Sequence, residues 1–401
     1  MPKGLSLIHP DIDRAAIAAV GSLLARDDLA AVAFQPMAGG AIERFVREFL
    51  AFITGGCNPD SPVLKRAARA FGQGSLPLSA AGIGSATGAI AASLSALDAA
   101  GGEVIATSLN YTGVINAIVI AGAIPRFVDC DPANWCMDPS AAARAVTKKT
   151  KAIVLTHLNE FVDLAPFMDL LEKKGLDIPV IQDASLAVGS MRNGLRPGLV
   201  NIGTHGATVF SLTISKIITG MGGAIITSND QGFVERVATI AHQGISLTSG
   251  NDLEEFGANY KMSAINAVIA AECLKRRETL FARRRKLKEL YDEGLSRLVH
   301  KGKVVLQATD PGTVITHYGL LLPGRERLAP PLHQCHNIQT GQWHCHHMEG
   351  IYCGLPGKKA GKLAATERIA PDLTFLPFHT GLSDEDVGVI CRALEEEINR
   401  L

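Results

Sequence analysis

Between residues 80 and 230 short apolar runs alternate with runs of helical pattern, and this alternation constrains the chain more than any other feature. "LPLSAAGI", "GGEVIATSL", "IPRFVDCD", "KAIVLTHL" and "IPVIQDAS" read as strands. "SATGAIAASLSALDAA", "YTGVINAIVIAGA", "PSAAARAVTKKT" and "APFMDLLEKKG" read as the helices between them, and "GATVFSLT" and "GGAIITSN" add two more strands. Strands that alternate with helices of this length predict an α/β fold with a doubly wound, mostly parallel sheet. Such sheets bind ligands at the carboxyl ends of their strands.

After residue 230 the pattern changes. "QGFVERVATIAHQG" and the stretch from "SAINAVIAAECLKRR" to "YDEGLSRL" predict long helices, the second long enough to pass between domains. "GKVVLQ", "TVITHYGLLLP" and "LTFLPFH" predict the strands of a smaller α+β domain. "SDEDVGVICRALEEEINRL" closes it as a helix, with Ser383 as N-cap and acids in the first turn. A chain of 401 residues exceeds what one core usually holds, so two domains are expected: 1–260 large, 261–401 small.

The bulk numbers exclude several classes. With 47% hydrophobic and 19% charged residues, the chain can build a sizeable core. Formal net charge is zero, and no basic face with interleaved aromatics points to nucleic acid. The basic run "KRRETLFARRRKLKEL" falls in a helical pattern and reads as a solvated or subunit-facing side. No signal peptide is read at the start, and apolar runs such as "AAVAFQPMAGGAI" are too interrupted for a membrane span. Eight scattered cysteines fit a reduced, cytoplasmic protein.

Within "FSLTISKIITGMGGAIITSND" Lys216 is the one charge before Asp230. A lysine there either snorkels to water or sits in a semi-apolar pocket, where desolvation makes it a nucleophile toward a carbonyl. Asp183 ends the strand "VIQDAS"; it caps the next turn or meets a cationic partner such as a pyridinium nitrogen. A lysine and an aspartate on separate strand ends are the pair a pyridoxal phosphate site requires. "GIGSATGAIAASL" supplies a strand, a small-residue turn and a helix start, as phosphate binding needs, although such turns are common. Ser211 can add a hydroxyl. Tyr111, at a helix start after a strand, can stack on a flat ring or pack in a core.

In this order the motifs resemble the fold-type I pyridoxal-phosphate enzymes and, more narrowly, the DegT-type nucleotide-sugar aminotransferases. The matching runs are "SATGAI", "GGEVIATSLNY", "FVDCDP", "HLNE", "QDASLAVG", "FSLTISKIITGMGGAIITSND", "NYKM" and "TFLPFHTGLSDEDV", across roughly residues 80 to 390. The resemblance implies a pyridoxal 5'-phosphate-dependent aminotransferase. It would move an amino group, from glutamate, to a keto group of a sugar, nucleotide-sugar or sugar-derived acceptor. Lys216 would form the imine and move the proton, and Asp183 would keep the ring nitrogen protonated. Tyr111 would stack on the ring. Ala86, Thr87 and Ser211 would bind the phosphate. Asn259 would reach the phosphate of a neighbouring subunit, which implies a homodimer with shared sites.

Some positions depart from the family pattern. Leu186 and Val188 stand where glutamine and histidine are usual, Asn159 and Glu160 replace an aromatic and a glycine, and Ala86 replaces a glycine. The segment "GGCNPDSPVLKRAARAFGQGSLP" is longer than the family norm. These departures leave the cofactor residues in place and open the substrate question. They keep a lyase, racemase or sugar dehydratase on the same fold, or a non-catalytic regulatory relative, as alternatives. The stretch "HQCHNIQTGQWHCHHMEGIYCG" fits no familiar zinc spacing. It reads as a substrate loop, with His346 as its first candidate and no metal expected.

Overall fold

The computed structural model describes residues 4–28, 40–70, 76–246, 252–354 and 361–400. Most of the interrupted apolar run at 30–42, and residues 71–75 of the long early segment, lie outside the described residues.

The strands in chain order are β1 (Ser79–Ile83), β2 (Glu103–Thr107), β3 (Leu109–Asn110), β4 (Ile124–Val128), β5 (Thr150–Thr156), β6 (Val180–Asp183), β7 (Ala207–Ser211), β8 (Ala224–Ser228), β9 (Val305–Leu306), β10 (Tyr318–Leu321), β11 (His344–Cys345) and β12 (Leu373–Leu376). Seven of them form the main sheet, in the order β1-β8-β7-β6-β5-β2-β4. From β4 through β7 every pair is parallel; β8 runs antiparallel to both β7 and β1. The expected doubly wound, mostly parallel sheet is therefore present. After β2 the chain adds β4 on one side and returns to place β5 on the other. The crevice between the ends of β2 and β5 is thus a topological switch point, where this architecture binds ligands.

The strands read as continuous apolar runs because both faces are covered. Val104 and Ala106 of β2, Val154 of β5, Val209 of β7 and Ile226 of β8 point into one core, which helices Ala86–Ala96, Thr112–Ile120 and Gln231–Ala241 complete. Ile105, Ile153, Leu155, Phe210 and Ile225 point into the other. There Phe45, Phe49 and Phe52 of helix Ala41–Thr54 pack on Phe210 and Phe281. That helix was not read from the sequence, although its apolar residues recur at helical spacing.

A second, three-stranded antiparallel sheet, β12-β10-β9, carries the C-terminal core. Tyr291 is fully buried there; its hydroxyl donates to Pro377 O at 2.6 Å and its ring stacks on Tyr318 at 4.5 Å. Helix Asp384–Arg400 covers the sheet. Its start is a reciprocal capping box: Ser383 Oγ accepts from Asp386 N at 3.0 Å, and Asp386 Oδ2 accepts from Ser383 N at 2.9 Å. Leu5, from the other end of the chain, packs into this same core and pairs with Ile338. One expectation is corrected. The long helix predicted from residue 263 onward is two helices, Ala264–Lys275 and Arg277–His300, broken at Arg276. The first leans on Arg14–Leu24 and Ala41–Thr54, and the second on Asp384–Arg400, so each follows its own core.

Candidate active site

Lys216 lies in the return between β7 and β8. These strands are antiparallel neighbours, yet 12 residues, 212–223, connect them. The excess chain folds back on itself. Gly220 N and Gly222 N both donate to Leu212 O, at 2.8 and 3.1 Å. Thr219 Oγ1 donates to Thr213 O at 3.1 Å and accepts from Met221 N at 3.0 Å. A Cβ at Gly220 would lie 2.6 Å from Asn266 O, and Gly223 has φ +90°, so the glycines are sterically required. Gly223 N donates to Gly84 O, which ties this loop to the turn before helix Ala86–Ala96.

The loop holds the lysine half-buried at the strand ends, its Nζ 5.9 Å from the centroid of the Tyr111 ring. Burial pulls its pKa down to about 8. The charge of Asp183 resists that fall and the charge of Arg284 adds to it. Asp183 is 4% exposed at the end of β6. Burial raises its pKa, against hydrogen bonding from Ser185, whose N–H donates to Oδ1 at 3.0 Å, and the charge of Lys216. Each member of the pair is thus pushed toward its neutral form by desolvation and toward its charged form by the other. Among the described residues no cationic nitrogen lies within 4.0 Å of Asp183, so its carboxylate can accept a further cationic donor.

Ser85 caps helix Ala86–Ala96, with Oγ accepting from Gly88 N at 3.0 Å. The N–H groups of Ala86 and Thr87, in the first turn, have no intrahelical acceptor. Thr87 packs closely against the start of the next helix, which the missing side chain of Gly113 allows. A Cβ at Gly113 would lie 2.5 Å from Thr87 Oγ1 and 2.8 Å from the Tyr111 ring. A helix start with free N–H groups, a hydroxyl and an adjacent aromatic face is a cradle for a phosphorylated aromatic cofactor. Ser211, 8% exposed at the end of β7, joins Thr213 Oγ1 at 3.2 Å on the same edge of the sheet. Lys216, Asp183, Tyr111, Ala86, Thr87 and Ser211 therefore all sit at the strand and helix ends expected of them, and these donors fit pyridoxal phosphate.

Asn259 is placed differently. It is exposed and lines a cavity of about 820 Å³ with Leu23, Ile42, Val46 and Ile83, a cavity whose lining includes neither Lys216 nor Asp183 nor Tyr111. Within one chain it does not join the strand-end cluster. Its neighbour Tyr260 does approach the phosphate turn, where a Cβ at Gly88 would lie 3.0 Å from the Tyr260 ring.

His346 is fully buried beside the Tyr111 helix. Its Nδ1 bonds Ser108 O at 2.8 Å, which makes Nδ1 the protonated nitrogen and leaves Nε2 to accept from Thr112 Oγ1 at 3.4 Å. The histidine-rich stretch reaches this position because β11 pairs with β3, His344 opposite Asn110 and Cys345 opposite Leu109. His347 anchors the same strap, with Nδ1 2.7 Å from Ser108 Oγ and Nε2 3.0 Å from Glu367 Oε1. Among the described residues no three of its histidines, cysteines or acids converge as metal ligands.

Several residues of the site escaped sequence reasoning. Asn159, buried at φ +65°, accepts at Oδ1 from Thr316 N and His317 N, both at 3.1 Å, and donates from Nδ2 to His317 O at 2.9 Å. Glu160 accepts from Asp310 N and Thr313 Oγ1 and pairs with Arg192 at 2.6 Å. The two departures at the end of β5 are therefore the clamps that hold residues 310–317 of the C-terminal half against the strand ends. His317 is held neutral there: burial first, then the charges of Lys216 and Arg284, pull its pKa down to about 3. Leu186 O accepts from Thr316 Oγ1 at 3.1 Å, so its backbone is used while its side chain joins the core.

A model of the DegT/DnrJ/EryC1/StrS aminotransferase family matches residues 62–395. The chain is 28% identical over 302 residues to GDP-perosamine synthase of Caulobacter vibrioides, covering 74% of this chain and 79% of that one. It is 33% identical over 232 residues to L-glutamine:scyllo-inosose aminotransferase of Streptomyces griseus, covering 55% of this chain and only 52% of that one. It is 29% identical over 323 residues to a protein of Geobacillus stearothermophilus called pleiotropic regulatory protein, covering 79% and 84%. In fold it is similar to PseC of Helicobacter pylori, an aminotransferase involved in pseudoaminic acid biosynthesis, with a TM-score of 0.82 at 19% identity over all of both chains.

Proposed function

Since the chain belongs to the DegT/DnrJ/EryC1/StrS aminotransferase family, we propose that it moves an amino group from glutamate or glutamine to a keto group of a sugar or sugar-derived acceptor. The observation that carries this reading is the pair at adjacent strand ends, half-buried Lys216 beside the Tyr111 ring and buried Asp183, which among the described residues has no cationic contact within 4.0 Å. Bound pyridoxal phosphate supplies the electron sink and carries the nitrogen between the two substrates. The residues of the chain do the rest. Nζ of Lys216, its proton loosened by burial, would take the proton from the donor's α-carbon and later return one to the acceptor's carbon. Asp183 would hold the proton of the ring nitrogen, Tyr111 would cover one ring face, and the Ala86 and Thr87 N–H groups with the Thr87 and Ser211 hydroxyls would hold the phosphate.

We place the acceptor on the side of the histidine strap; His346, fully buried with both ring nitrogens engaged, would hold the strap in position rather than touch the acceptor. The donor widens the sequence expectation of glutamate, because a relative's name specifies L-glutamine. We further propose a homodimer in which Asn259 completes the partner's phosphate site; its exposure away from its own Lys216 supports this. All eight cysteines are free, which supports a reducing, cytoplasmic setting. No helix among the described residues is long and apolar enough to cross a membrane.

A regulatory role is favoured by one relative's name. It is disfavoured by the chemistry, since a protein that only binds partners has no need of a buried aspartate beside a desolvated lysine. Absorbance decides between them. The purified protein with cofactor should show a band at roughly 410–430 nm that falls when glutamate or glutamine is added. A band that ignores both donors, and alanine and aspartate as well, rules the aminotransferase reading out.

A further inference from the structure

The loop that carries Lys216 takes its shape from its own bonds, which do not by themselves fix how it is seated on the rest of the molecule. Just beyond the lysine two groups of fully buried residues lack a main-chain partner: among the described residues neither Ile217 O nor Thr219 N takes part in a backbone–backbone hydrogen bond. Buried backbone groups are costly unless something pairs them. One sulfur pairs both. Cys273 Sγ, on helix Ala264–Lys275, donates to Ile217 O at 3.4 Å and accepts from Thr219 N at 3.5 Å. The residue is 1% exposed, and burial pushes the thiol's pKa up to about 11, so its proton is present for the carbonyl. These separations suit sulfur. A hydroxyl bonds at about 2.7–3.0 Å, so a serine there would serve one group or draw the loop inward.

The same helix makes a second grip. Asn266 Nδ2 donates to Gly220 O at 2.8 Å. Asn266, Ala270 and Cys273 are spaced i, i+4 and i+7, so they share one helix face. That face lies hard against the loop, where a Cβ at Gly220 would come 2.6 Å from Asn266 O and 3.3 Å from the Ala270 methyl. Residues 217, 219 and 220 are therefore held from outside the loop. On the other side of the lysine the hold is internal, since Lys216 N donates to Thr213 O at 3.0 Å. Cys391 gives the contrast. It is 5% exposed in the C-terminal core, and among the described residues its thiol makes no hydrogen bond.

We infer that Cys273 and Asn266 are positioning residues for Lys216, seating its loop on helix Ala264–Lys275 so that Nζ is aimed at the cofactor's carbonyl. The role rests on the aminotransferase reading and adds to it the residues that aim the amine. Two measurements test it. In the first, cofactor-free protein is mixed with pyridoxal phosphate and the rise of the absorbance band is timed, which requires the lysine and no amino donor. In the second, the donor half-reaction of the loaded protein is followed in a single turnover against the concentration of L-glutamate and of L-glutamine. Cys273→Ala should slow both about tenfold or more, with the half-saturating donor concentration unchanged. Cys273→Ser should fall between wild type and Cys273→Ala, and Asn266→Ala should slow both about threefold or more. If Cys273→Ala does not fold, these two variants decide, with about threefold slowing required of each. Cys391→Ala is the control: it removes a buried thiol that makes no bond, so it should lower the melting temperature and leave both rates alone. Wild-type rates in the Cys273 and Asn266 variants, with only the melting temperature lowered as in the control, would overturn the inference. So would a raised half-saturating concentration at an unchanged limiting rate, which is the mark of a donor contact. A wild-type protein that forms the band but answers no donor sinks the aminotransferase reading instead, and the first measurement still decides whether helix Ala264–Lys275 aims the lysine.

Discussion

Lys216 and Arg284 feel one another's charge and both act on His317, yet the chain produces these two cations in opposite ways. Lys216 comes from a loop whose own residues hold it, Leu212, Thr213, Thr219 and the glycines at 220, 222 and 223. Arg284 comes from the side of a 24-residue helix and is placed by carbonyls 32 and 94 positions away. The wall bearing Lys216 is local and made at strand ends. The facing wall is assembled from residues 159–160, 284, 310–317 and 378–379. On the proposed reading the chemistry would fall to the part of the protein whose geometry one short segment dictates, whereas the other wall exists only once both cores have docked.

This comparison predicts that changes in the first wall stop the reaction in a folded protein, whereas changes in the second act through stability or substrate affinity. The largest effect is expected from Lys216→Ala. Lys216 is the lysine whose charge reaches Asp183, so turnover should be lost while the melting temperature stays within a few degrees of wild type. Asp183→Asn should lower turnover at least a hundredfold, about 2.7 kcal/mol in barrier, because an amide cannot hold the proton on the ring nitrogen. A variant within about threefold of wild type removes Asp183 from that role.

On the second wall Asn159→Ala strips the acceptor from two N–H groups, that of buried Thr316 and that of half-buried His317, and an alanine there stays at positive φ. We expect a loss of about 2–4 kcal/mol in urea unfolding, with turnover falling only as His317 and Arg284 lose their bracing. A variant of unchanged stability would mean the two walls are not clamped at the end of β5.

The smallest effect is one of pH. His157, fully buried beneath the clamp, bonds Gln182 at 3.1 Å, and burial pulls its pKa down to about 4. In the unfolded chain it titrates near 6.5. Between about pH 6.5 and 4 the unfolded state binds the extra proton, so this histidine makes stability fall as pH falls through that window. Asp183 and Glu160, both raised by burial, act in the opposite sense, because their folded forms take up protons first. His157→Gln isolates the histidine's share. The pH slope of unfolding free energy should shrink by up to ~1.4 kcal/mol per pH unit, and an unchanged slope would place the acid sensitivity elsewhere.

The two walls also differ in how legible they were. The strand and helix alternation, the small-residue turn and the Lys216 and Asp183 positions follow from patterns a few residues long, and the structure places them as read. Asn159 and Glu160 looked like departures from a pattern because their partners, His317 and Thr313, lie 158 and 153 residues further on. Nothing in a local window signals such a clamp. The break at Arg276 escaped for a similar reason: the helical pattern runs through it, and the two halves separate because they pack on different cores. Helix Ala41–Thr54, by contrast, was legible in principle, since Ile42, Phe45, Phe49, Phe52 and Ile53 mark one face.

The most direct test of the central claim is covalent. The cofactor-loaded protein is reduced with borohydride, digested and mapped by mass spectrometry. The account predicts a single cofactor-bearing peptide, modified at Lys216 and absent from the Lys216→Ala variant. It also predicts that glutamate or glutamine added before the borohydride prevents the modification. An active protein whose reduced cofactor sits on another lysine, or on none, would contradict the account.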